Sequence, residues 1–167
     1  MSPKPGYKAL REHRWSAAGA EYFLTFKAKQ PTPDLLECLP AFERERENLE
    51  ATRRWHVRTW VVMPDHVHVL FTLGEVGSLA ECLRLFKGRL SPELRTHRLS
   101  WQKGYHEHRI RADEDRLPLF LYVFLNPYRE KLLPSGEKWS GYFCAPEDWS
   151  WFEPLTNSST PFPEWLG

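Results

Sequence analysis

A short run of alternating residue types constrains the fold of this chain more than any other feature. Residues 66–71 read His-Val-His-Val-Leu-Phe. In a β-strand successive side chains point to opposite faces, so residues two apart share a face. The run therefore predicts a strand that presents His66 and His68 side by side, while its valines pack the other way.

A second strand is predicted directly before this one. Residues 55–60 alternate in the same manner, and Met63-Pro-Asp65 separates the two segments. Proline has no backbone N–H and cannot join a central ladder, so the break favours a turn. We expect the two strands to form a hairpin.

The first half of the chain indicates a further strand and a helix. Residues 21–26 are aromatic and β-prone, and they are expected to form the first strand. Asp34 is placed to cap a helix that runs to about Arg54. Residues 101–110 show no clear period but leave room for a short strand.

Two more helices are predicted in the second half. Ser78 followed by Glu81 is a capping-box pattern, and the apolar residues after it have helical spacing: Leu79, Leu83, Phe86 and Leu90. A last long helix should begin at 113–115 and run to Asn126, because Pro127 follows there. Pro118 would be tolerated only in its first turn, whose amides lack helical partners.

Composition favours a single domain in a reducing compartment. The chain has 167 residues, of which 41% are hydrophobic and 27% charged, which is enough for a proper core. Cys38, Cys82 and Cys144 lie far apart, so neither a disulfide framework nor a structural zinc site is expected. No apolar run reaches membrane-span length and no secretion signal is recognised, so we expect a cytoplasmic protein without membrane partners.

The net charge of +1 hides an uneven distribution. Residues 84–111 contain eight Lys and Arg against two Glu, and residues 1–14 contain four against one. Such runs are usually solvated helix faces. The alternative is a basic surface with an acidic reverse side, which would suit a nucleic acid.

A second constellation lies in the predicted last helix, where Tyr122 and Asn126 share one face about one turn apart. Alone, they are most simply a core tyrosine and a helix-ending amide, and a lone His-x-His is most simply a hydrogen-bonded surface pair. Together, the histidine pair and the Tyr122–Asn126 pair suggest a catalytic site. Two imidazoles can bind a divalent metal, the Asn126 oxygen could complete the site, and a nearby metal or base can activate a phenol as nucleophile.

These motifs resemble those of the single-strand DNA transposases that use one tyrosine and a His-hydrophobic-His motif, in particular the REP-associated tyrosine transposases. The resemblance runs from about Tyr22 to Trp151, and its matching segments follow the expected order: 61–70, 78–79, 86–89, 101–102, 105–111, 122–127, 139–140 and 149–151. Met-Pro-Asp-His-Val-His combined with Tyr-x-x-x-Asn-Pro is the most specific part.

The resemblance implies an α+β, ferredoxin-like fold, an antiparallel sheet with helices packed on one face. It implies His66 and His68 as catalytic metal ligands, Asn126 as third ligand, Tyr122 as nucleophile, and Mg²⁺ or Mn²⁺ as cofactor. The activity would be cleavage and strand transfer of single-stranded DNA at palindromic hairpins, through a 5′-phosphotyrosine. The alternative is a hairpin-binding protein that has lost catalysis. A water-using hydrolase ranks last, because Asp65 should face away from both histidines.

The expected organisation is a flexible basic arm over 1–20, one nuclease or transposase domain over 21–133, and a C-terminal tail over 134–167 packed on or near it. The predicted DNA contacts are basic or aromatic: Lys8, Arg11, Arg14, Arg84, Lys87, Arg89, Trp101 and Tyr105. Trp101 is equally suited to the core. The protein is expected to be a monomer or homodimer associated with the nucleoid.

Three departures from the family pattern bear on the orientation of Tyr122. Pro118 lies in the nucleophile's helix, Phe124 replaces a frequently polar residue, and residues 128–131 replace a small glycine-containing turn. Tyr105 and Tyr128 are the rival nucleophiles. Tyr128 is expected to lie beyond the helix end, away from Asn126.

Overall fold

The strands of the computed structural model form one antiparallel sheet. The structure describes residues 17–29 and 34–156. The strands are β1 (Glu21–Lys27), β2 (Trp55–Val62), β3 (His66–Leu73), β4 (His106–Arg109) and β5 (Tyr142–Cys144). Their order in the sheet is β4-β1-β3-β2-β5. The first four strands and the helices between them have the ferredoxin-like arrangement, so the predicted α+β fold is confirmed.

The helices are α1 (Leu39–Ala51), α2 (Leu79–Thr96), α3 (Leu117–Arg129) and α4 (Pro146–Phe152). Short 3₁₀ helices occupy Leu35–Cys38 and Glu153–Thr156. Within residues 17–29 and 34–156, no helix combines the length and hydropathy needed to cross a membrane.

The local predictions around β3 and α2 are confirmed. β2 and β3 pair antiparallel from Trp55↔Leu73 to Val62↔Val67, as the predicted hairpin requires. The Ser78 side chain accepts a hydrogen bond from the Glu81 amide at 3.1 Å and caps α2. The apolar residues expected on the inner side of α2 are all buried: Leu79, Leu83, Phe86 and Leu90.

The helix predicted from Asp34 to Arg54 is divided. The Asp34 carboxylate accepts from the Leu36 amide and caps the 3₁₀ helix, and α1 begins only at Leu39. Pro40 in the first turn of α1 has no N–H to donate to a preceding carbonyl, which favours a new helix start here over one continuous helix from Asp34.

The bounds of the last helix differ most from prediction. α3 begins at Leu117 and continues through Pro127 to Arg129, so the expectation that Pro127 ends it is wrong. Pro118 lies in the first turn, where it costs no helical bond. The turn after Pro127 is closed by the Glu130 amide, which donates to the Asn126 carbonyl.

The sheet is covered on both faces. The main core lies between the sheet and the helices α1 and α2, as expected. The helices α3 and α4 pack on the opposite face, where Leu70 of β3 joins a cluster with Phe120, Leu121 and Phe152. The expectation of helices on one face therefore describes only α1 and α2. Apolar residues occur on both sides of the central strands, so both sides need cover.

Residues after 134 extend the sheet. β5 pairs with β2, and the Trp139 indole donates to the Val62 carbonyl at 2.9 Å. A Cβ at Gly141 would lie 2.3 Å from the Val62 carbonyl oxygen, so glycine permits this close approach. The division into arm, domain and tail stays a prediction, and residues 1–16 and 157–167 lie outside the described residues.

Candidate active site

His66 and His68 lie side by side on the sheet face that α3 covers. Their ring centroids are 4.7 Å apart and the rings are nearly perpendicular. His68 is buried, with 6% of its surface exposed, whereas 18% of the His66 side chain is exposed. The side-by-side arrangement predicted from the alternation is therefore present, with one ring at the surface and the other beneath it.

Tyr122 reaches the same place from α3. Its ring meets the His68 ring edge to face, with 5.0 Å between centroids. Phe23 of β1 stacks on His68 at 5.7 Å and meets Tyr122 edge-on at 6.2 Å. Phe120 and Leu121, which are buried against the sheet, fix the rotation of α3 and hence the direction of Tyr122.

The Nδ1 atom of each histidine has a hydrogen-bond partner. His68 Nδ1 lies 2.7 Å from the Thr25 hydroxyl, which faces it from β1. His66 Nδ1 lies 2.6 Å from Asp65 Oδ1. The expectation that Asp65 faces away from both histidines is therefore wrong. Asp65 precedes the first residue of β3, so the alternation of strand side chains does not govern it.

The environment keeps His68 neutral. Burial is the largest cause that lowers the pKa of His68 to about 3, and the neighbouring His66, Arg129 and Lys27 act in the same direction. Asp65 acts weakly in the other direction. A neutral imidazole offers a nitrogen lone pair, which is the form that binds a metal.

The chemistry of these donors fits a divalent cation. In the described part of the chain, no three or more His, Cys, Asp or Glu side chains are grouped to hold a metal ion. The predicted set is different, because it combines two imidazoles with an amide. The structure brings the two imidazoles together, and Asn126 is buried one turn beyond Tyr122. Its role as third ligand stays a prediction.

Two cations that the sequence interpretation missed flank the site. Lys27 is exposed and is the cross-strand neighbour of His66 in the β1–β3 ladder. The Arg129 guanidinium carbon lies 5.4 Å from the Tyr122 ring centroid. Tyr122, Asn126 and Arg129 follow helical spacing, but the helix was expected to end before Arg129. Thr25 could not be found without the strand register.

The predicted basic contacts lie elsewhere. Arg84 is exposed on α2, which packs on the other face of the sheet from the histidines. The Lys87 ammonium donates to the carbonyls of Gln102 and Gly104, each at 3.2 Å. Arg89 lies 3.7 Å from Glu45. Their role in DNA binding stays a prediction, and three others fall outside the described residues: Lys8, Arg11 and Arg14.

The remaining aromatic candidates have structural contacts. Trp101 packs against Phe26 with 5.1 Å between ring centroids, and its indole donates to the Lys87 carbonyl. Tyr105 also packs against the main core. Base stacking by either residue stays a prediction.

The structure also locates the rival nucleophile Tyr128. This residue lies inside α3, so its expected position beyond the helix end is wrong. Its ring packs on Phe124, and its hydroxyl donates to the Glu137 carbonyl. It therefore faces the segment before β5 and not the histidines.

The chain is similar in sequence to known transposases. The family model described as Transposase IS200 like matches residues 37–112, a range that includes both histidines and ends before Tyr122. A curated REP-associated tyrosine transposase of Escherichia coli (strain K12) is 23% identical over 128 residues, covering 75% of this chain and 77% of that protein.

The fold also matches a solved structure. A REP-associated tyrosine transposase bound to a REP hairpin is 22% identical, with a TM-score of 0.66 over 85% of this chain and 82% of that chain. The chain is therefore similar to the IS200-like transposases over residues 37–112, and the resemblance to the REP-associated tyrosine transposases that its motifs indicated is confirmed.

Proposed function

We propose that the chain is a metal-dependent endonuclease and strand-transferase acting on single-stranded DNA beside palindromic hairpins. Tyr122 is the nucleophile, and His66 and His68 are the ligands of Mg²⁺ or Mn²⁺. The observation that carries the proposal is the ring contact between Tyr122 and His68 at 5.0 Å, next to the partner imidazole of His66. A phenol beside two metal-binding imidazoles is an arrangement that simple DNA binding does not need.

The reaction exchanges one phosphodiester bond for another. The Tyr122 phenolic oxygen bonds to the phosphorus of the scissile phosphate while the bond from phosphorus to the 3′ oxygen breaks. The phenol loses its proton and the departing 3′ oxygen gains one. The products are a 5′-phosphotyrosine and a free 3′-hydroxyl. Attack of a 3′-hydroxyl on that ester reverses the exchange and joins strands without an external energy source.

A divalent cation held by His66 and His68 would supply positive charge at the scissile phosphate. The protein supplies position and further charge. His68 and Phe23 hold the Tyr122 ring, and Lys27 and Arg129 bring two positive charges to the face along which the DNA must run. All these side chains come from one chain, so the site can form without a second copy.

The substrate proposal follows from the relatives. The solved relative is bound to a REP hairpin, and a hairpin with single-stranded flanks would give this chain both a shaped duplex to recognise and an accessible phosphate. The departures around Tyr122 do not turn it away from the histidines. Pro118 lies in the first turn of α3, and Phe124 packs beside Phe152 and Tyr142.

The proposal is tested with the full chain and a panel of hairpin oligonucleotides that carry single-stranded flanks and a label at the 3′ end. With Mg²⁺ or Mn²⁺, a denaturing gel should show labelled DNA attached covalently to the protein, and EDTA should prevent it. A reversible shift without adduct would favour the hairpin-binding alternative. Cleaved DNA with a free 5′-phosphate and no adduct would favour hydrolysis by water.

A further inference from the structure

The two histidines of the candidate site are held by different kinds of hydrogen-bond partner. Asp65 offers a carboxylate to His66 Nδ1 at 2.6 Å, and Thr25 offers a hydroxyl to His68 Nδ1 at 2.7 Å. Neither partner belongs to the set of site residues expected from the sequence. A neutral imidazole carries its proton on one nitrogen only, and the partner of that nitrogen decides which atom keeps the lone pair.

For His66, the chemistry of the Asp65 carboxylate decides which ring nitrogen carries the proton. An ionised carboxylate accepts hydrogen bonds and cannot donate them. The short contact with Asp65 therefore places the His66 proton on Nδ1. In the neutral ring the lone pair then resides on Nε2, the atom farther from the backbone.

At His68 the partner alone does not fix which ring nitrogen carries the proton, because the Thr25 hydroxyl can either donate or accept a hydrogen bond. Thr25 is the direct cross-strand neighbour of His68 in the β1–β3 ladder, so the backbone holds the two side chains together. The His68 ring cannot turn freely, since Phe23 stacks on one face with an interplanar angle of 10° and Tyr122 meets it edge-on. The proton position then decides whether His68 can act together with His66.

We propose that Thr25 and Asp65 are positioning residues that accept the Nδ1 protons of His68 and His66 and so present both Nε2 lone pairs to one divalent cation. This inference rests on the proposed function, because it concerns the same metal site. It assigns roles to two residues outside the expected ligand set, Thr25 and Asp65. Loss of such a partner typically weakens metal affinity about 10- to 100-fold.

The first test reads the proton positions directly. Long-range ¹H–¹⁵N spectra of the metal-free protein at neutral pH distinguish the two neutral tautomers of each histidine. Both His66 and His68 should carry the proton on Nδ1. In Thr25→Val the His68 tautomer should become mixed while that of His66 stays. A wild-type His68 that carries its proton on Nε2 would overturn the proposal for Thr25.

The second test measures Mn²⁺ affinity without DNA, by the electron paramagnetic resonance signal of free Mn²⁺. Thr25→Val and Asp65→Ala should each weaken binding about 10- to 100-fold, and Thr25→Ser should restore it. Thr72→Val is the matched control, because Thr72 lies on the same face of β3 at the far end from His66. It should bind Mn²⁺ as wild type does.

The outcomes separate this inference from the proposed function. Equal Mn²⁺ affinity in wild type and in a folded Thr25→Val variant, or no Mn²⁺ binding by wild type, would overturn the inference even if the protein cleaves DNA. Mn²⁺ binding with the expected tautomers but no covalent adduct on any hairpin would support the inference and reject the proposed strand transfer.

Discussion

Tyr122 and His68 contact each other edge to face, with ring centroids 5.0 Å apart, although one lies on α3 and the other on the central strand β3. The contact exists because α3 lies across the sheet face that the main core leaves open. Phe23 contacts both rings, so the three side chains pack as one cluster. The packing of the protein itself therefore sets the position of the proposed nucleophile.

The first prediction concerns that nucleophile. Tyr122→Phe removes one oxygen and keeps the ring that packs on His68 and Phe23, so the fold and hairpin binding should persist. Formation of the covalent protein–DNA adduct should be lost completely. Thermal unfolding, a native gel shift and a denaturing gel on one preparation check the three statements together.

Two other tyrosines serve as controls for this result. Tyr128→Phe and Tyr105→Phe should both retain the adduct, because Tyr128 bonds to the Glu137 carbonyl and Tyr105 packs on the opposite face of the sheet from the histidines. An adduct in Tyr122→Phe that mass spectrometry maps to Tyr105 or Tyr128 would show that the assignment is wrong.

The parts of this site that depend on local pattern could be predicted from the sequence. The alternation of residues 66–71 predicts which side chains of β3 share a face, and the break at Met63–Asp65 predicts the hairpin. The four-residue spacing of Tyr122 and Asn126 predicts one helix face. Each of these relationships is fixed by the geometry of a single element.

The parts that depend on contacts between distant segments could not be predicted. Thr25 faces His68 only because β1 and β3 pair in one particular register. Arg129 was missed because proline was expected to end α3, whereas the following turn closes around Pro127. Asp65 lies in a turn, where side chains do not alternate between two faces as they do in a strand.

The second prediction concerns the histidines. His66→Ala and His68→Ala each remove one imidazole, so Mg²⁺- or Mn²⁺-dependent adduct formation should fall to background while hairpin binding stays nearly intact. His106→Ala is the matched control, because His106 is exposed and its partner across the ladder is Thr25, on the same sheet face. It should cleave as wild type does. Full cleavage by His68→Ala would contradict the proposal that these histidines bind the catalytic metal.

The third prediction concerns Arg129. Its guanidinium lies over Tyr122, where it can stabilise charge that develops on the phosphate during attack. Arg129→Gln should lower the rate of adduct formation by roughly 10- to 100-fold. This loss is smaller than the one caused by removing a buried oxyanion-hole donor, because Arg129 is exposed. Lys131→Gln, just beyond the helix, should change the rate little. Equal rates for the two variants would contradict a catalytic role.

The fourth prediction concerns the path of the DNA. If Lys27 and Arg129 contact the single strand, the double variant Lys27→Gln/Arg129→Gln should flatten the plot of log affinity against log salt by about 0.7 per lost contact. The same measurement on an Arg84/Lys87/Arg89 triple alanine variant tests the surface predicted from the sequence. A slope unchanged by the triple variant would remove α2 from the binding face.

The last prediction concerns the support of α3 and α4. Arg58 sits at the bulge in β2 and donates to Glu21 at 2.6 Å and to Asp148 of α4 at 2.7 Å. Hydrogen bonding to Asp148 is the main cause that raises the pKa of Arg58 above its usual range, so the group stays charged. Arg116, next to the start of α3, donates to the same Glu21 at 3.0 Å. These bonds tie both helices to the sheet beside the site.

Arg58→Met keeps the length of the side chain but leaves Asp148 without its cation and Glu21 with Arg116 alone. The free energy of unfolding should fall by about 2–3 kcal/mol, measured by urea denaturation. Glu75→Gln is the control, since the Arg53–Glu75 pair is 69% and 66% exposed and its loss should cost at most about 0.5 kcal/mol. If the free energy of unfolding falls equally little in both variants, the hydrogen bonds of Arg58 do not hold α4 in place. Loss of adduct formation by a folded Arg58→Met variant would then need another explanation than helix displacement.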